Sequence, residues 1–285
     1  YSSPNLKDWT YLSDFGQDMG HQGGVWECPD LFPLIEKNSG ETKWVLLVSI
    51  NPGGPNQGSA TQYFIGDFDG ENFTLDPEFA KELEHQNNFW VDFGRDNYAG
   101  VTWQNTKKAN GNKLFMGWMS NWDYAQVVPT QKWRSSMTIA REVGLINTEN
   151  GYRLTSTPVE NAFALLQKSS DQNQDLNGWK KLELNPNFNE KVGYRLSNHL
   201  GEVLEFGFDA KTNQFYVDRT AAGRKDFSEK FAHRVSFAPR ISNDQTIKGI
   251  MLLDKTSIEL FWDNGTTVFT EIFFPNAPFT QMEKF

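Results

Sequence analysis

Apolar positions along this chain recur in short runs or in strict alternation, and seldom at the spacing of a helix. Runs at 44–50, 62–68, 98–103, 113–119 and 137–141 are each bounded by turn-forming residues, and their pattern predicts β-strands with a buried face. The breaks carry equal weight. Asn51-Pro52-Gly53-Gly54-Pro55-Asn56 cannot lie inside a sheet, because proline lacks the amide donor that a ladder needs, and Asp69-Gly70 is a hairpin-type pair. The best helical stretch, 77–84, is charged and predicts a surface turn of helix. Past Thr155-Ser156-Thr157-Pro158 the strands lengthen, at 203–208, 214–218, 233–238, 249–253, 257–262 and 267–274, with hairpin turns at Lys211-Thr212-Asn213 and Asp263-Asn264-Gly265. Strands at that spacing predict an antiparallel β-sandwich, whereas the short strands and aromatic loops of the first half fit propeller blades. The chain is therefore expected to be all-β, with one domain over 1–157 and a sandwich over 158–285.

Composition narrows the function. A chain of 285 residues with 38% apolar content can bury a sizeable core. Its 10 Trp and 23 Phe exceed what a minimal core requires, a surplus found where flat apolar ligand faces such as sugar rings are stacked, although most of these rings are ordinary sheet-packing residues. A net charge of −9 lacks the electrostatic footprint of a nucleic-acid binder. No run approaches the roughly 18 apolar residues of a membrane-spanning helix. Cys28 stands alone, which leaves no intrachain disulfide and no multi-cysteine zinc site, and His21, His85, His199 and His233 are too scattered for a zincin-type motif. No metal and no organic cofactor is expected.

The most specific segment is Trp26-Glu27-Cys28-Pro29-Asp30-Leu31-Phe32, preceded by Gly23-Gly24. It places a carboxylate between an aromatic ring and a loop able to pass close to a ligand. A carboxyl beside apolar surface loses solvation in its charged form, which raises its pKa towards what a proton donor at neutral pH needs. Standing alone, such a residue would more often be a strand-end glutamate without a chemical role. Cys28 is expected to be an inert buried thiol, because no histidine lies nearby with an evident partner.

The segment does not stand alone. It resembles the acid/base motif of the retaining β-fructofuranosidases, the family of invertases, exo-inulinases and levanases (glycoside hydrolase family 32). The likeness continues through Ser49-Ile50-Asn51-Pro52-Gly53-Gly54-Pro55 and Gly58-Ser59-Ala60-Thr61-Gln62-Tyr63-Phe64-Ile65-Gly66-Asp67-Phe68-Asp69-Gly70. It resumes at Val91-Asp92-Phe93-Gly94-Arg95-Asp96-Asn97-Tyr98-Ala99, at Gly117-Trp118-Met119-Ser120-Asn121-Trp122, at Pro129-Thr130 and at Trp133-Arg134-Ser135-Ser136-Met137-Thr138. Farther on, Leu253-Asp254-Lys255-Thr256-Ser257-Ile258-Glu259-Leu260-Phe261 resembles a signature strand pair of that family's C-terminal sandwich.

The resemblance implies a five-bladed propeller with an axial site, followed by a β-sandwich, that cleaves terminal β-linked fructose from sucrose, inulin or levan with retention. Retention needs two carboxyls about 5–5.5 Å apart, one attacking the anomeric carbon and one protonating the departing oxygen. Glu27 matches the proton donor. Asp92 and Arg95 match fructose-site positions, Arg95 standing where relatives often have Lys, and Trp122 with Trp118 matches the aromatic wall under the terminal fructose. Asp92 and Asp96 also suit a turn-capping role around Gly94, with Asp96 the better capper, and the two tryptophans suit blade packing.

Two family features have no counterpart. The nucleophile, an aspartate in an N-terminal Asn-Asp-Pro-Asn-Gly type segment, is absent, and so is the Arg-Asp-Pro segment that precedes the acid/base. The expectation is a propeller lacking its N-terminal part, with open sheet edges, closed by a missing segment or a second chain and catalytically inactive by itself. A non-catalytic fructan-binding protein and a fructosyltransferase are the alternatives. An extracellular or periplasmic home follows from a polymeric substrate alone.

Overall fold

The computed structural model describes residues 1–86, 89–106, 110–168, 176–187 and 189–285. Two antiparallel sheets of blade type come first. One is built in chain order from β1 (Val25–Ile35), β2 (Thr42–Asn51), β3 (Ala60–Phe68) and β4 (Phe73–Leu75). It leads into helix α1 (Pro77–His85), whose start is set by Asp76: that side chain accepts the amides of Glu78 and Phe79, and Pro77 follows it. Phe79 is thereby buried against Tyr63 and Phe89. The second sheet comprises β5 (Tyr98–Thr102), β6 (Lys113–Met119), the two-residue β7 (Ser136–Met137) paired to β6, β8 (Arg141–Thr148) and β9 (Gly151–Pro158).

A short helix α2 (Glu160–Leu165) precedes the remaining strands: β10 (Gly178–Leu184), β11 (Lys191–Ser197), β12 (Val203–Asp209), β13 (Gln214–Ala221), β14 (Ser236–Pro239), β15 (Ile247–Asp254), β16 (Ser257–Trp262), β17 (Thr267–Ile272) and β18 (Gln281–Lys284). They form two sheets, β10-β15-β16-β17 and β14-β13-β12-β11-β18. Their facing side chains, among them Leu204, Phe206, Phe215, Val217, Ile258, Leu260, Trp262 and Phe269, make one apolar core. The β16–β17 turn passes through Asp263 and Asn264, both at positive φ, as a tight hairpin requires.

All six residues of β16 and all six of β17 are buried. One face of this pair looks into the sandwich and the other is covered by the second blade. The sandwich core accordingly runs on into Ile50, Ala60, Trp90 and Phe93, so the two parts share buried surface. On the blade side the buried positions mix apolar Phe261 and Val268 with polar Glu259 and Thr270, and the polar ones bond to the blade.

Among the described residues the first half forms one four-stranded sheet and one five-stranded sheet in which β7 pairs β6. The structure departs from the expectations in two places. The strand expected at 137–141 is divided between β7 and β8, because the amide of Thr138 turns to the Gly117 carbonyl and that of Ile139 to the Glu259 carboxylate. The strand expected at 233–238 begins only at Ser236, leaving His233 and Arg234 in an exposed loop.

Candidate active site

Glu27 sits near the start of β1, opposite Ser49 of β2, and the ladder slips by one residue between Glu27 and Asp30. The slip is a β-bulge, with Cys28 in the left-handed region at φ 49°. An equivalent bulge interrupts β5 against β6 between Tyr98 and Val101, with Ala99 at φ 50°. Each bulge therefore follows directly on the residue whose side chain it re-aims. The two strands are tied below the bulges, where the Asp30 carboxylate accepts the Thr102 amide and the Gln104 side chain, both at 2.6 Å.

This register brings the Tyr98 hydroxyl to Glu27, and it donates a hydrogen bond to the Glu27 Oε2. Burial, and then the hydrogen bond and charge of Glu27, hold the Tyr98 phenol well above its usual range, so it remains a proton-bearing donor. The Tyr98 ring meets Trp118 edge-on at 6.3 Å, and Trp118 lies against Trp122 at 5.1 Å. A carboxyl, a phenol and two indoles thus form one continuous surface, with Glu27 exposed and Trp122 49% exposed. Trp26 does not desolvate Glu27 as expected: its ring packs on Phe64 and its indole N–H donates to the His21 carbonyl. Cys28 is exposed, not buried, because the bulge turns it outward.

The Trp122 turn is held from below. Asn121 Oδ1 accepts the amides of Ser59 and Asp123, Ser59 Oγ accepts the Trp122 amide at 3.1 Å, and Ser59 Oγ–H donates to Asn51 Oδ1. Gly58, at φ +72°, leaves room for this brace; a Cβ there would lie 2.2 Å from Asn121 Oδ1.

Asp92 and Arg95, matched by resemblance to fructose-site positions, do not lie on this surface but beneath it. Asp92 is 2% exposed and its oxygens are consumed by structure. Oδ1 accepts the amides of Gly94 and Thr270, and Oδ2 accepts from Asn97, Arg141 and the Thr270 hydroxyl. Arg95 is 1% exposed and donates to the Lys230 carbonyl and to Asp123. Asp96 is likewise buried, capped by the Ile272 amide and paired with Arg219 at 2.6 Å. The polar layer between blade and sandwich absorbs all three.

Two family models match the chain: "Glycosyl hydrolases family 32 N-terminal domain" over residues 1–158 and "Glycosyl hydrolases family 32 C terminal" over 147–285. The chain belongs to glycosyl hydrolases family 32. It is 38% identical over 301 aligned residues to a levanase of Bacillus subtilis (strain 168), an alignment covering 97% of this chain and 42% of that protein. It is 34% identical to the extracellular exo-inulinase of Aspergillus awamori, covering 97% and 55%. The crystal structure of exo-inulinase from Aspergillus awamori superposes with a TM-score of 0.81 at 30% identity, covering 99% of this chain and 57% of that one. A β-fructofuranosidase from Schwanniomyces occidentalis, complexed with fructosyl-erythritol, superposes with a TM-score of 0.76 at 27% identity, covering 98% and 59%. The chain spans about half the length of the relatives it matches.

Within this family 32 chain, sequence reasoning missed Tyr98. It lay inside a quoted motif, but as a strand residue whose hydroxyl had no visible partner. Among the described residues no group of three or more His, Cys, Asp or Glu side chains is arranged to hold a metal ion. A groove of about 830 Å³ opens beside Ile35 and Glu36, at the opposite end of β1 from Glu27, and is separate from the surface just described.

Proposed function

We propose that this chain supplies the acid/base half of a retaining β-fructosidase that releases terminal fructose from sucrose or from fructans such as inulin and levan. Glu27 delivers the proton to the departing oxygen, Tyr98 orients that carboxyl, and Trp122 backed by Trp118 forms the apolar wall under the fructosyl ring. The observation that carries this reading is the convergence of Glu27, Tyr98, Trp118 and Trp122 on one open face, set by two matched bulges.

A retaining mechanism needs a second carboxyl a few ångströms from the first. We propose that it comes from polypeptide outside these 285 residues, either a further segment or a second chain that completes the propeller over 1–157, with the sandwich over 158–285 as its support. Exposed apolar side chains on β1, on β5 and just past β5 favour such a completion: Val25 is 66% exposed, Val101 48% and Trp103 44%. The extracellular exo-inulinases among the relatives support an extracellular home.

The test is complementation. The purified chain alone, given sucrose, inulin and levan, is expected to release no fructose. Co-expressed with the N-terminal segment of the similar Bacillus subtilis levanase, it is expected to hydrolyse at least one of them, and Glu27→Gln in the complemented enzyme is expected to lower turnover by about 10²–10⁴-fold with little change in KM. Fructose release at enzymatic rates by the chain alone would refute the missing nucleophile. Full activity of the complemented Glu27→Gln variant would refute the proton donor.

A further inference from the structure

The residue that the resemblance assigned to the sugar, Arg95, lies beneath the sugar-facing wall and touches both parts of the molecule. Its Nη2–H donates to Asp123 Oδ2 at 3.0 Å and its Nη1–H to the Lys230 carbonyl at 2.7 Å, in the sandwich segment between β13 and β14. Lys230 reaches back with its ammonium to Asp123 Oδ1 at 3.1 Å. The Arg95 carbonyl accepts from Asn121 Nδ2 at 2.7 Å, and the guanidinium lies over the Tyr124 ring at 5.4 Å. Trp122 is flanked by Asn121 and Asp123, and both are bonded to Arg95.

Arg95 is itself held by the sandwich. The amides of Phe93 and Asp96 donate to the Val268 and Thr270 carbonyls of β17, and the Arg95 amide donates to Glu271 Oε1. The segment 92–97 is in effect laid along β17, and whatever displaces β17 displaces Arg95.

We infer that Arg95 is a positioning residue through which the β-sandwich sets the place of the Trp122 wall. It makes no contact with sugar; it locks the Asn121-Trp122-Asp123 turn to the sandwich. In this chain the fork of the guanidinium is used in full, since two acceptors on different segments are engaged by two separate nitrogens. A lysine ammonium would satisfy one and release the other. The consequence for sugar binding rests on the function proposed above; the mechanical link does not.

The experiment separates the two. The chain is labelled with 5-fluorotryptophan and its ¹⁹F spectrum recorded, the Trp122 line being assigned by Trp122→Phe. Arg95→Lys is expected to move or split the Trp122 line while lines from tryptophans remote from the turn stay in place. Asp123→Ala, at a partly exposed position, is expected to do the same should Arg95→Lys fail to fold. Arg240→Lys, which disturbs a comparably buried ion pair with Asp263, is expected to leave the Trp122 line unmoved. Titration of the complemented protein, carrying Glu27→Gln to block hydrolysis, with a short inulin-type fructo-oligosaccharide is expected to show affinity reduced on the order of tenfold when Arg95→Lys is added. An unmoved Trp122 line in folded Asp123→Ala or Arg95→Lys, or an equal response in Arg240→Lys, would overturn the positioning role. A Trp122 line that responds as expected, in a chain whose complemented form binds no fructo-oligosaccharide, would leave the link standing and remove the proposed function.

Discussion

Replacing Arg141 with Met tests how strongly the blade and the sandwich depend on each other. Arg141 is fully buried at the start of β8. It donates to Asp92 at 2.8 Å, to Glu259 at 2.6 Å and to the Thr270 hydroxyl at 2.6 Å, over the face of Phe261. Methionine keeps most of the apolar stem, so the cost is electrostatic and not that of a cavity. Asp92 retains four donors, from Gly94, Asn97 and Thr270. Glu259 retains the Ile139 amide and is the group left exposed to the full cost of a buried charge.

Breaking a buried pair from one side typically costs about 3–5 kcal/mol, a large share of the roughly 5–15 kcal/mol that holds a domain folded. Removing the stranded charge as well, in Arg141→Met with Glu259→Gln, is expected to recover about 2 kcal/mol of that loss. The pH dependence follows in sign. Burial already raises the Glu259 carboxyl above its ordinary range against the pull of Arg141. A raised folded-state value means that the neutral form contributes stability below the ordinary carboxylate pKa, and that this contribution is lost as pH rises through the folded value. Without Arg141 the shift widens, so Arg141→Met is expected to cost more at about pH 7.5 than at about pH 5. Urea unfolding followed by tryptophan fluorescence and far-ultraviolet circular dichroism measures both. A loss below about 1 kcal/mol at neutral pH, or a loss unchanged between the two pH values, would refute the reasoning.

Three further outcomes are expected. Tyr98→Phe, in the complemented enzyme, keeps the ring on Trp118 but removes the donor to Glu27; turnover is expected to fall roughly tenfold with KM nearly constant, and a change confined to KM would show that the hydroxyl serves binding instead. Gly94→Ala would place a Cβ 2.1 Å from the Thr270 carbonyl oxygen and 2.2 Å from its amide nitrogen. Neither backbone can yield cheaply, so a loss of at least about 3 kcal/mol is expected in thermal or urea unfolding. At Glu36, burial pushes the carboxyl up, but the amides of Ser39, Asn147 and Asn38 outweigh it and hold the value below the ordinary range. That contribution is present above the ordinary glutamate pKa and is lost as pH falls through the folded value. Glu36→Gln is thus expected to destabilise by about 1 kcal/mol near neutrality and by less in acid, which melting temperatures across pH will show.

Legibility in the sequence tracked how each strand meets its surroundings. β2, β3 and β6 carry alternating or apolar runs between turn residues, and β16 and β17 combine apolar and β-branched residues with a hairpin turn, so their pattern is that of strands. β10 carries Lys180, Lys181 and Glu183, and β1 carries Glu27, Cys28, Pro29 and Asp30 in its first half. Neither looks like a strand, because one is dominated by solvated charge and the other by a bulge. Family likeness pointed to Glu27, Trp118, Trp122, Asp92 and Arg95 together, and the structure gathers the first three on one surface and buries the last two. Motif position says which block a residue belongs to and not which way its side chain points. At 92–97 the direction was decided by β17, about 175 residues farther along, whose free amides and carbonyls claim that segment.

The same distinction explains how the site is built. In an uninterrupted strand, side chains alternate strictly between faces, and cross-strand neighbours are fixed by the ladder. Bringing a carboxyl from one inner strand to a phenol from the next requires both strands to leave that ladder at the same level. Cys28 and Ala99 do so in a backbone region where a residue with a Cβ is disfavoured by about 1–2 kcal/mol. Glycine would relieve the strain but would also loosen the aim of the residue before it. The cost is borne at two positions that each follow a residue of the surface, with Asp30, Thr102 and Gln104 tying the strands just below. Two positive-φ residues on adjoining strands of different sheets, braced from beneath, are what hold the Glu27 and Tyr98 side chains together.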